Sequence, residues 1–278
     1  MTILAVKKRF SKCCQAPWSM YATLPHMFTG ERILPGGKFN VTYQESLFAY
    51  DFARQRARGK RVLDVGSGEG YGVAYLAERA AEVVGLDMNQ GAITQAQQKY
   101  LGSNIRFVTE LAEEKFDIVC CFQTIEHVHD QDQFLDQLKQ FAKPGGTVLV
   151  TTPNKGRFSG FNPYHIRELT PADLQELMQA HFLESRVLGI FGNEAVLQYR
   201  NSKQRISNAI LKIDVLRARE WLPRPVVLVL YGMGTGIVKT LSRKAEPQAD
   251  QAVDLESFWV SDKNISQALD LLAVGKVE

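Results

Sequence analysis

A glycine-rich segment in the first third of the chain carries the clearest chemical signal. The run Val62-Leu63-Asp64-Val65 is apolar apart from one acid, and Gly66-Ser67-Gly68-Glu69-Gly70-Tyr71-Gly72 follows it directly. Glycines at such a turn allow the backbone to approach a ligand closely. Asp87 closes the next apolar run about 20 residues later, where a carboxylate can accept hydrogen bonds from ribose hydroxyls. The pattern predicts a site for a nucleoside-containing cofactor.

Tyr71 bears on which nucleoside cofactor this turn would accept. Turns that bind NAD have a glycine at the sixth position, because the pyrophosphate sits against the start of the following helix. Counted from Gly66, that position is Tyr71, and its bulk disfavours a pyrophosphate. An NAD-dependent oxidoreductase is therefore the less favoured alternative.

A second group of reactive side chains follows a later apolar run. Gln123-Thr124-Ile125-Glu126-His127-Val128 comes directly after that run, and His165 lies in a long loop at 153–168. Imidazoles and carboxylates are the groups that most often move protons in enzymes. His127 is the first candidate for a general base, with Glu126 and His165 as further catalytic candidates. The alternative is that Glu126 and His127 only stabilise the first turn of the next helix and that His165 only anchors its loop.

Short apolar runs alternate with helical patterns from residue 61 onward, which predicts a mostly parallel sheet covered by helices. The predicted strands are 62–65, 83–86, 105–108, 116–122, 147–151 and 185–190. Two segments compete for the last, antiparallel strand. Either 269–274 returns to the sheet, or 195–199 forms that strand and the rest of the chain is an appendage.

The favoured alternative divides the chain into four parts. Residues 1–58 form a helical lead-in or lid, 59–200 the cofactor-binding core, 201–256 a helical insertion, and 257–278 the final strand. The most apolar stretch, 225–241, is interrupted by glycines and is short for a membrane span. We interpret it as a packed helix, with peripheral contact to a membrane surface as the alternative.

The order of these motifs resembles a known family. Asp64-Val65-Gly66-Ser67-Gly68-Glu69-Gly70 is similar to the first motif of class I S-adenosylmethionine-dependent methyltransferases, and Asp87 resembles their ribose-binding acid. Phe116-Asp117-Ile118-Val119 is similar to the fourth strand of that family. Lys143-Pro144-Gly145-Gly146-Thr147 is similar to the turn before its fifth. The resemblance covers residues 61–152.

The resemblance implies a Rossmann-like α/β fold with a mostly parallel seven-stranded sheet and helices on both faces. It implies S-adenosyl-L-methionine as the cofactor, with the glycine turn receiving its amino-acid end. The cofactor contacts it implies are Asp64, Gly66, Ser67, Gly68, Tyr71, Asp87, Met88, Glu110 and Gln123. Glu110 departs from the family pattern, because it leads into a compressed loop where a short polar turn is usual.

The segment around His127 resembles the Glu-His-Val segment of quinone-ring O-methyltransferases and of many sugar and small-molecule methyltransferases. This implies that Glu126 and His127 lie beside the transferred methyl group, and that the loop with His165 faces the acceptor. Some relatives bind a divalent cation through a Glu-x-x-Glu-His motif and a later His. Gln123 replaces the first Glu here, so we expect no metal, with Glu126, His127 and His165 as the remaining ligands if one binds.

An upstream segment extends the resemblance. Thr29-Gly30-Glu31-Arg32-Ile33-Leu34-Pro35-Gly36, followed by Tyr43 and Glu45, is similar to the N-terminal lead-in of bacterial methyltransferases associated with surface-polysaccharide pathways. Such a lead-in would close over the cofactor. The alternative is a simple turn before a helix at 43–56.

Composition limits the partners and the compartment. The net charge is +3 and the basic residues are scattered, so we expect no nucleic-acid partner. The four cysteines form two adjacent pairs, Cys13/Cys14 and Cys120/Cys121, without the spacing of a zinc site or a disulfide framework. A cytoplasmic location is expected, and no export signal is evident.

The sequence thus predicts a methyltransferase that modifies an oxygen atom of a saccharide or another small hydroxylated metabolite. A quinone-like phenol is the alternative acceptor, and the apolar stretch 225–241 would suit it. A non-catalytic cofactor-binding partner protein is the alternative from another class, since fold does not guarantee chemistry. The oligomeric state stays open.

Overall fold

The computed structural model describes residues 40–157, 162, 164–213, 234, 240, 241 and 253–278. The strands are β1 (Arg61–Val65), β2 (Glu82–Leu86), β3 (Ile105–Val108), β4 (Phe116–Phe122), β5 (Ala142–Pro153), β6 (Glu184–Gly192), β7 (Phe258–Ser261) and β8 (Asp270–Lys276). The α-helices are α1 (Asn40–Arg54), α2 (Tyr71–Ala77), α3 (Gln90–Lys99), α4 (Gln131–Phe141), α5 (Pro171–His181) and α6 (Glu194–Ile213). Three 3₁₀ helices, Ile125–His127, Leu255–Ser257 and Ile265–Gln267, complete the described elements.

One mixed sheet holds all the described strands, in the order β3-β2-β1-β4-β5-β8-β6-β7. The pairs from β3 to β5 are parallel, whereas β8 lies antiparallel between β5 and β6. The predicted return of the chain as a last, antiparallel strand is therefore confirmed for 269–274. The competing assignment of 195–199 to that strand is wrong, because these residues belong to α6, where the Asn193 side chain accepts a hydrogen bond from the Val196 N–H at 3.1 Å.

The sheet has eight strands where seven were expected. The additional strand, β7, pairs antiparallel with β6 at the edge of the sheet. Its four residues, Phe258-Trp259-Val260-Ser261, are too few to show an alternating pattern in the sequence. A short edge strand of this kind is recognised only once its partner is known.

Local capping explains where several helices begin. The Thr170 side chain accepts a hydrogen bond from the Asp173 N–H, and the Asp173 carboxylate accepts from the Thr170 N–H, a reciprocal cap followed by Pro171. This cap fixes the start of α5 at Pro171. Asn89 and Asp130 cap α3 and α4 more simply, because each side-chain oxygen accepts one backbone N–H.

Helices cover both faces of the sheet, as expected. On one face, here called the α1 face, buried side chains of α1, α2, α3 and α6 pack together, and on the opposite α4 face those of α4 and α5 do so. Side chains alternate along β5, so that Leu149 joins the core of the α1 face while Val148 and Val150 join that of the α4 face. The side chains of Thr151 and Thr152 consequently lie on opposite faces of the sheet at the carboxyl end of the strand.

The predicted insertion at 201–256 is described only in part. Residues 201–213 continue α6, which begins at Glu194, and 253–256 lead into the 3₁₀ helix before β7. The lead-in motif at 29–36 and nearly all of the apolar stretch 225–241 lie outside the described residues. Within the described part of the chain, no helix is long and apolar enough to cross a membrane.

Candidate active site

The glycine turn after β1 has the backbone geometry that only glycine adopts easily. Gly66, Gly68 and Gly70 have φ values of +82°, +53° and +84°, in the left-handed region. A Cβ atom at Gly66 would lie 2.5 Å from the Thr124 Oγ1 atom, whereas one at Gly68 would meet no atom within 4 Å. Gly68 therefore borders open space, and a ligand can reach its backbone.

Asp87, at the end of β2, holds this turn in place. Its Oδ2 atom accepts a hydrogen bond from the Gly68 N–H at 2.8 Å, and its Oδ1 atom accepts from the Asn89 N–H at 2.8 Å. Carboxylate oxygens at the end of the second strand are suitable acceptors for ribose hydroxyls. The neighbouring Met88 side chain is half exposed.

Asp64 is fully buried beneath the turn. Its Oδ2 atom accepts a hydrogen bond from the Tyr50 hydroxyl at 3.0 Å, and its Oδ1 atom has no hydrogen-bond partner among the described residues. Burial raises the pKa of Asp64 to about 7; the Tyr50 hydrogen bond opposes this shift, and the negative charge of Asp87 adds to it. The carboxyl group is therefore close to its titration point at neutral pH.

A cavity of about 170 Å³ opens between α1 and the carboxyl ends of the central strands. Five of the residues that line it are among the predicted cofactor contacts, namely Gly66, Ser67, Gly68, Tyr71 and Gln123. Other lining residues were not predicted as site residues: Ser46, Ala49, Tyr50, Glu69, Phe122, Thr151, Ile190 and Asp270, together with Glu45 from the lead-in pattern. The cavity thus combines the expected turn with a wall that the motifs did not indicate.

Glu110 lies apart from this cavity. It is exposed after β3 and borders a second, more open pocket of about 330 Å³, together with Gln90, Ile93, Gln97 and Phe107. The pocket lies between α3 and the end of β3. Glu110 does not line the cavity beside the glycine turn, and its contact with the cofactor stays a prediction.

Gln123 connects the cavity to the last strand. Its φ of +51° is uncommon for a residue other than glycine, and its N–H donates to the Thr151 carbonyl at 2.9 Å. Its side-chain Nε2 atom donates to Asp270 Oδ2 at 3.1 Å. The residue thus places an amide and a carboxylate together at the end of the cavity.

Asp270 belongs to an ion-pair network that spans three elements. Its Oδ1 atom lies 3.6 Å from the Nη2 atom of Arg200 on α6, and the same guanidinium nitrogen donates to Glu45 on α1. Burial raises the pKa of Asp270 to about 7, and the carboxylate of Glu45 adds to the shift, while Arg200, Lys203 and the Gln123 hydrogen bond oppose it. One signal in the sequence could have indicated this residue, since Asp270 is the single acid in the apolar run 269–274.

The predicted catalytic residues come together on the α4 side of the strand ends. Glu126 is buried in the 3₁₀ helix Ile125–His127, and its Oε2 atom accepts a hydrogen bond from the Thr152 hydroxyl at 3.0 Å. The Glu126 carbonyl accepts the Ile166 N–H at 2.8 Å, which draws the loop with His165 onto this helix. The rings of His127 and His165 lie 5.1 Å apart and nearly perpendicular.

Hydrogen bonds define which nitrogen each imidazole presents. His127 Nδ1–H donates to the Tyr164 carbonyl at 3.0 Å, and His165 Nδ1–H donates to Glu168 Oε1 at 2.6 Å. A carbonyl can only accept, so the Nδ1 atom of His127 must carry a proton. In the neutral rings, Nε2 therefore carries the lone pair that can take a proton or bind a metal.

Glu126, His127 and His165 also satisfy the geometric requirement for a cation site. Each offers one ligand atom, and these atoms lie within 4.8 Å of one another. Two nitrogens and one oxygen would suit a transition metal better than Mg²⁺ or Ca²⁺, which prefer oxygen ligands. None of the three residues is among those that line the cavity.

A left-handed glycine turn after the first strand of an open parallel sheet, with an acid at the end of the next strand, defines a nucleoside-cofactor-binding α/β protein. The family model described as "Methyltransferase domain" matches residues 44–187. A protein of Mycolicibacterium smegmatis named "probable S-adenosylmethionine-dependent methyltransferase" is 31% identical over 257 residues, which cover 88% of this chain and 93% of that protein.

Two further comparisons cover part of the sequence and the fold. A ubiquinone biosynthesis O-methyltransferase of Pseudomonas aeruginosa is 31% identical over 156 residues, which are 51% of this chain and 66% of that protein. The structure of a methyltransferase from Thermotoga maritima has a TM-score of 0.52 at 13% identity, covers 86% of this chain and 92% of that chain, and supports the fold. The chain belongs to the class I S-adenosylmethionine-dependent methyltransferases. It is an enzyme that uses S-adenosyl-L-methionine, which removes NAD and the non-catalytic alternative from consideration.

Proposed function

We propose that this methyltransferase modifies an oxygen atom of a saccharide or another small hydroxylated metabolite. One observation supports O-methylation: His127 and His165 both form hydrogen bonds through Nδ1, which makes Nε2 the basic atom of each neutral ring. S-adenosylmethionine, when bound, supplies a methyl group on a positively charged sulfur. A hydroxyl acceptor then needs a residue that takes its proton and others that hold its oxygen in line.

His127 is the proposed general base, with Glu126 and His165 in supporting roles. His127 follows Gln123, a cavity residue, by only four positions, so the two lie within about 14 Å even along a fully extended chain. Buried Glu126 ties the loop to the 3₁₀ helix, and the ring of His165 packs against that of His127. This packing would hold the His127 ring in one orientation during proton transfer.

We propose that the cofactor binds at the carboxyl ends of the strands. Gly66, Ser67 and Gly68 would receive its amino-acid end, with Tyr71 and Gln123 on either side and Asp64 beneath. Asp87 would accept ribose hydroxyls, since its carboxylate already orders the turn. Met88 and Glu110 would contact the adenine, and the pocket with Ile93 and Phe107 beside Glu110 offers an apolar surface for it.

A quinone-like phenol is the second candidate acceptor. The relatives named as ubiquinone biosynthesis O-methyltransferases align with about half of this chain. The cavity also has an apolar wall made by Tyr50, Phe122 and Ile190, against which an aromatic ring could pack. Methylation of catechols in preference to sugars would favour this second candidate.

The cellular setting is part of the same proposal. A cytoplasmic location is supported by Cys120 and Cys121, which are adjacent, buried and not joined in a disulfide. We expect no nucleic-acid partner, because the net charge is only +3. Peripheral membrane contact through 225–241 stays a prediction.

The first test is calorimetric titration of the purified protein with S-adenosylhomocysteine, repeated on Asp87→Ala. We expect tight binding to the wild type and at least a roughly tenfold loss in the variant, because the turn loses its anchor as well as the ribose contact. Asp262→Ala, at an exposed position after β7, is the matched control and should bind normally. Absence of binding to the wild type would refute the proposed cofactor site.

A further inference from the structure

The cavity has a polar part of which the cofactor motifs use only Gln123. It is lined by Glu45 from α1, Gln123 after β4, Thr151 on β5 and Asp270 on β8. These four positions come from distant parts of the chain and meet only in the folded structure. The mechanism proposed above gives a role to Gln123 alone, so the function of the other three is unassigned.

The carboxylate of Asp270 keeps acceptor capacity toward the cavity. Its described contacts are the hydrogen bond from Gln123 at 3.1 Å and the looser contact with Arg200 at 3.6 Å. A carboxylate can accept about four hydrogen bonds. Burying one with so few partners is unfavourable, and such groups are found preferentially where a ligand binds.

Thr151 provides an independent indication that a ligand binds here. It is fully buried and lines the cavity, yet its Oγ1 atom has no hydrogen-bond partner among the described residues. Leaving a buried hydroxyl unpaired is unfavourable, and buried polar side chains are nearly always paired in native proteins. A ligand hydroxyl in the cavity would supply the missing partner.

The charge of this wall restricts the ligand further. Glu45 and Asp270 both contact the same guanidinium nitrogen of Arg200, so two carboxylates share this cation, and the charge of Lys203 also acts on Asp270. An anionic group placed beside them would meet unfavourable electrostatic interactions. A neutral hydroxyl group would be accepted, because it can donate to an ionised carboxylate and accept from a protonated one, and burial raises the pKa of Asp270 to about 7.

We propose that Glu45, Thr151 and Asp270 form an acceptor subsite that binds two neighbouring hydroxyl groups of a sugar-like molecule with no negative charge at that end. The inference rests on the proposed O-methylation and deepens it, since it names the residues that would select a neutral polyol over a phenol or an acidic sugar. Asp270 is the specificity-determining member, because it lies at the centre of the polar wall and contacts both Gln123 and Arg200.

The test combines an acceptor panel with matched variants. Methyl transfer is measured with methyl glycosides and neutral disaccharides, and separately with glucuronate and with catechol as probes. We expect the neutral sugars to be methylated in preference to the other two. In Asp270→Asn, the KM for the sugar should rise about 10- to 100-fold, because a charged hydrogen-bond acceptor is replaced by a neutral one. The S-adenosylhomocysteine dissociation constant should change less than about twofold.

Further variants keep the result interpretable. Thr151→Val retains the shape of the side chain without its hydroxyl and should raise the sugar KM by a smaller factor, about tenfold. Asp262→Asn, at an exposed position that does not line the cavity, should behave as wild type. Melting temperatures for all variants identify any that fail to fold, and Thr151→Val then replaces Asp270→Asn as the decisive variant.

The outcomes separate this inference from the proposed function. Unchanged sugar KM in Asp270→Asn, preference for glucuronate or catechol, or methylation of none of the neutral sugars would each overturn the subsite. A rise in the S-adenosylhomocysteine dissociation constant that matches the rise in KM would show that Asp270 binds the cofactor instead. If the wild type binds no S-adenosylhomocysteine, the proposed cofactor site itself fails.

Discussion

The cavity beside the glycine turn and the cluster of Glu126, His127 and His165 are built from neighbouring strand ends, yet their polar atoms are satisfied differently. Among the residues that line the cavity, Ser67 Oγ and Thr151 Oγ1 are buried without a hydrogen-bond partner in the described part of the chain, and so is Asp64 Oδ1 beneath the turn. In the cluster, both Nδ1 atoms and the Glu126 carboxylate are hydrogen bonded to the surrounding chain. Buried polar atoms without partners can form hydrogen bonds to a ligand, so the cavity is suited to binding. Side chains that hydrogen bonds hold in one orientation are suited to catalysis.

This contrast predicts that the two regions affect different kinetic constants. Changes in the cavity should weaken the binding of cofactor or acceptor, and changes in the cluster should lower kcat. The largest effect is expected for His127→Ala, with a fall in kcat of about 10²- to 10⁴-fold, the range typical of a lost general base. Steady-state kinetics with a methylated acceptor measures it.

The control for this variant lies two residues away. His129 is exposed, so His129→Ala should keep full activity while removing the same side chain. Cofactor affinity should be normal in both variants. Equal activity of His127→Ala and wild type would assign proton transfer elsewhere and leave the cluster a structural role in anchoring the loop.

The next effect is expected in the cavity, at the glycine turn. Gly68→Ala forces a side chain into the left-handed region and into the open space where a cofactor would bind. Gly59→Ala introduces the same strain at a φ of +69°, also with no atom within 4 Å, but away from the cavity. Both variants should lose about 1 kcal/mol of stability, and only Gly68→Ala should lose S-adenosylhomocysteine affinity, by at least about tenfold.

Calorimetric titration measures the S-adenosylhomocysteine affinity of the two glycine variants, and urea unfolding measures their stability. If Gly59→Ala also loses affinity, the effect is one of general strain and says nothing about the turn. If neither does, the backbone at Gly68 does not approach the ligand.

The comparison also shows what a sequence can reveal. Apart from the short edge strand β7, the strands, the glycine turn and the Glu126-His127 motif were predictable, because each rests on residues adjacent in the chain. The polar wall was not, because the contact between Gln123 and Asp270 joins residues 147 positions apart and that between Arg200 and Glu45 joins residues 155 apart. No local pattern indicates such pairings, and the position of β8 between β5 and β6 is what creates the first of them.

A different effect, on stability and not on activity, follows from the buried acid beneath the turn. Unfolded Asp64 loses its proton near its ordinary pKa of 3.8, while in the folded protein the pKa is about 7. Between these values the folded state holds a proton that the unfolded state has lost, so the stability falls as the pH rises through this window. The slope is at most about 1.4 kcal/mol per pH unit.

Asp64→Asn should remove this dependence, because an amide keeps an acceptor for the Tyr50 hydroxyl but does not ionise. Urea unfolding at several pH values should show the free energy of unfolding of the variant rising relative to that of the wild type, by up to about 4 kcal/mol between pH 4 and pH 7. Above pH 7 the difference should not increase further. Asp262→Asn, at an exposed position, should show no such gain. A difference that does not vary with pH would mean that Asp64 is ionised throughout.

The smallest effect is expected for removal of metal ions. The cluster brings Glu126, His127 and His165 close enough to hold a cation, but it offers one carboxylate, which already accepts a hydrogen bond from Thr152. Replacement of the family's first Glu by Gln123, whose amide is committed to Asp270, removes a second charged ligand. We therefore expect EDTA to change kcat less than about twofold, which corresponds to about 0.4 kcal/mol in the activation free energy. Loss of activity restored by Mn²⁺ or Zn²⁺, but not by Mg²⁺, would instead make the two imidazoles metal ligands and shift proton removal to a metal-bound acceptor hydroxyl.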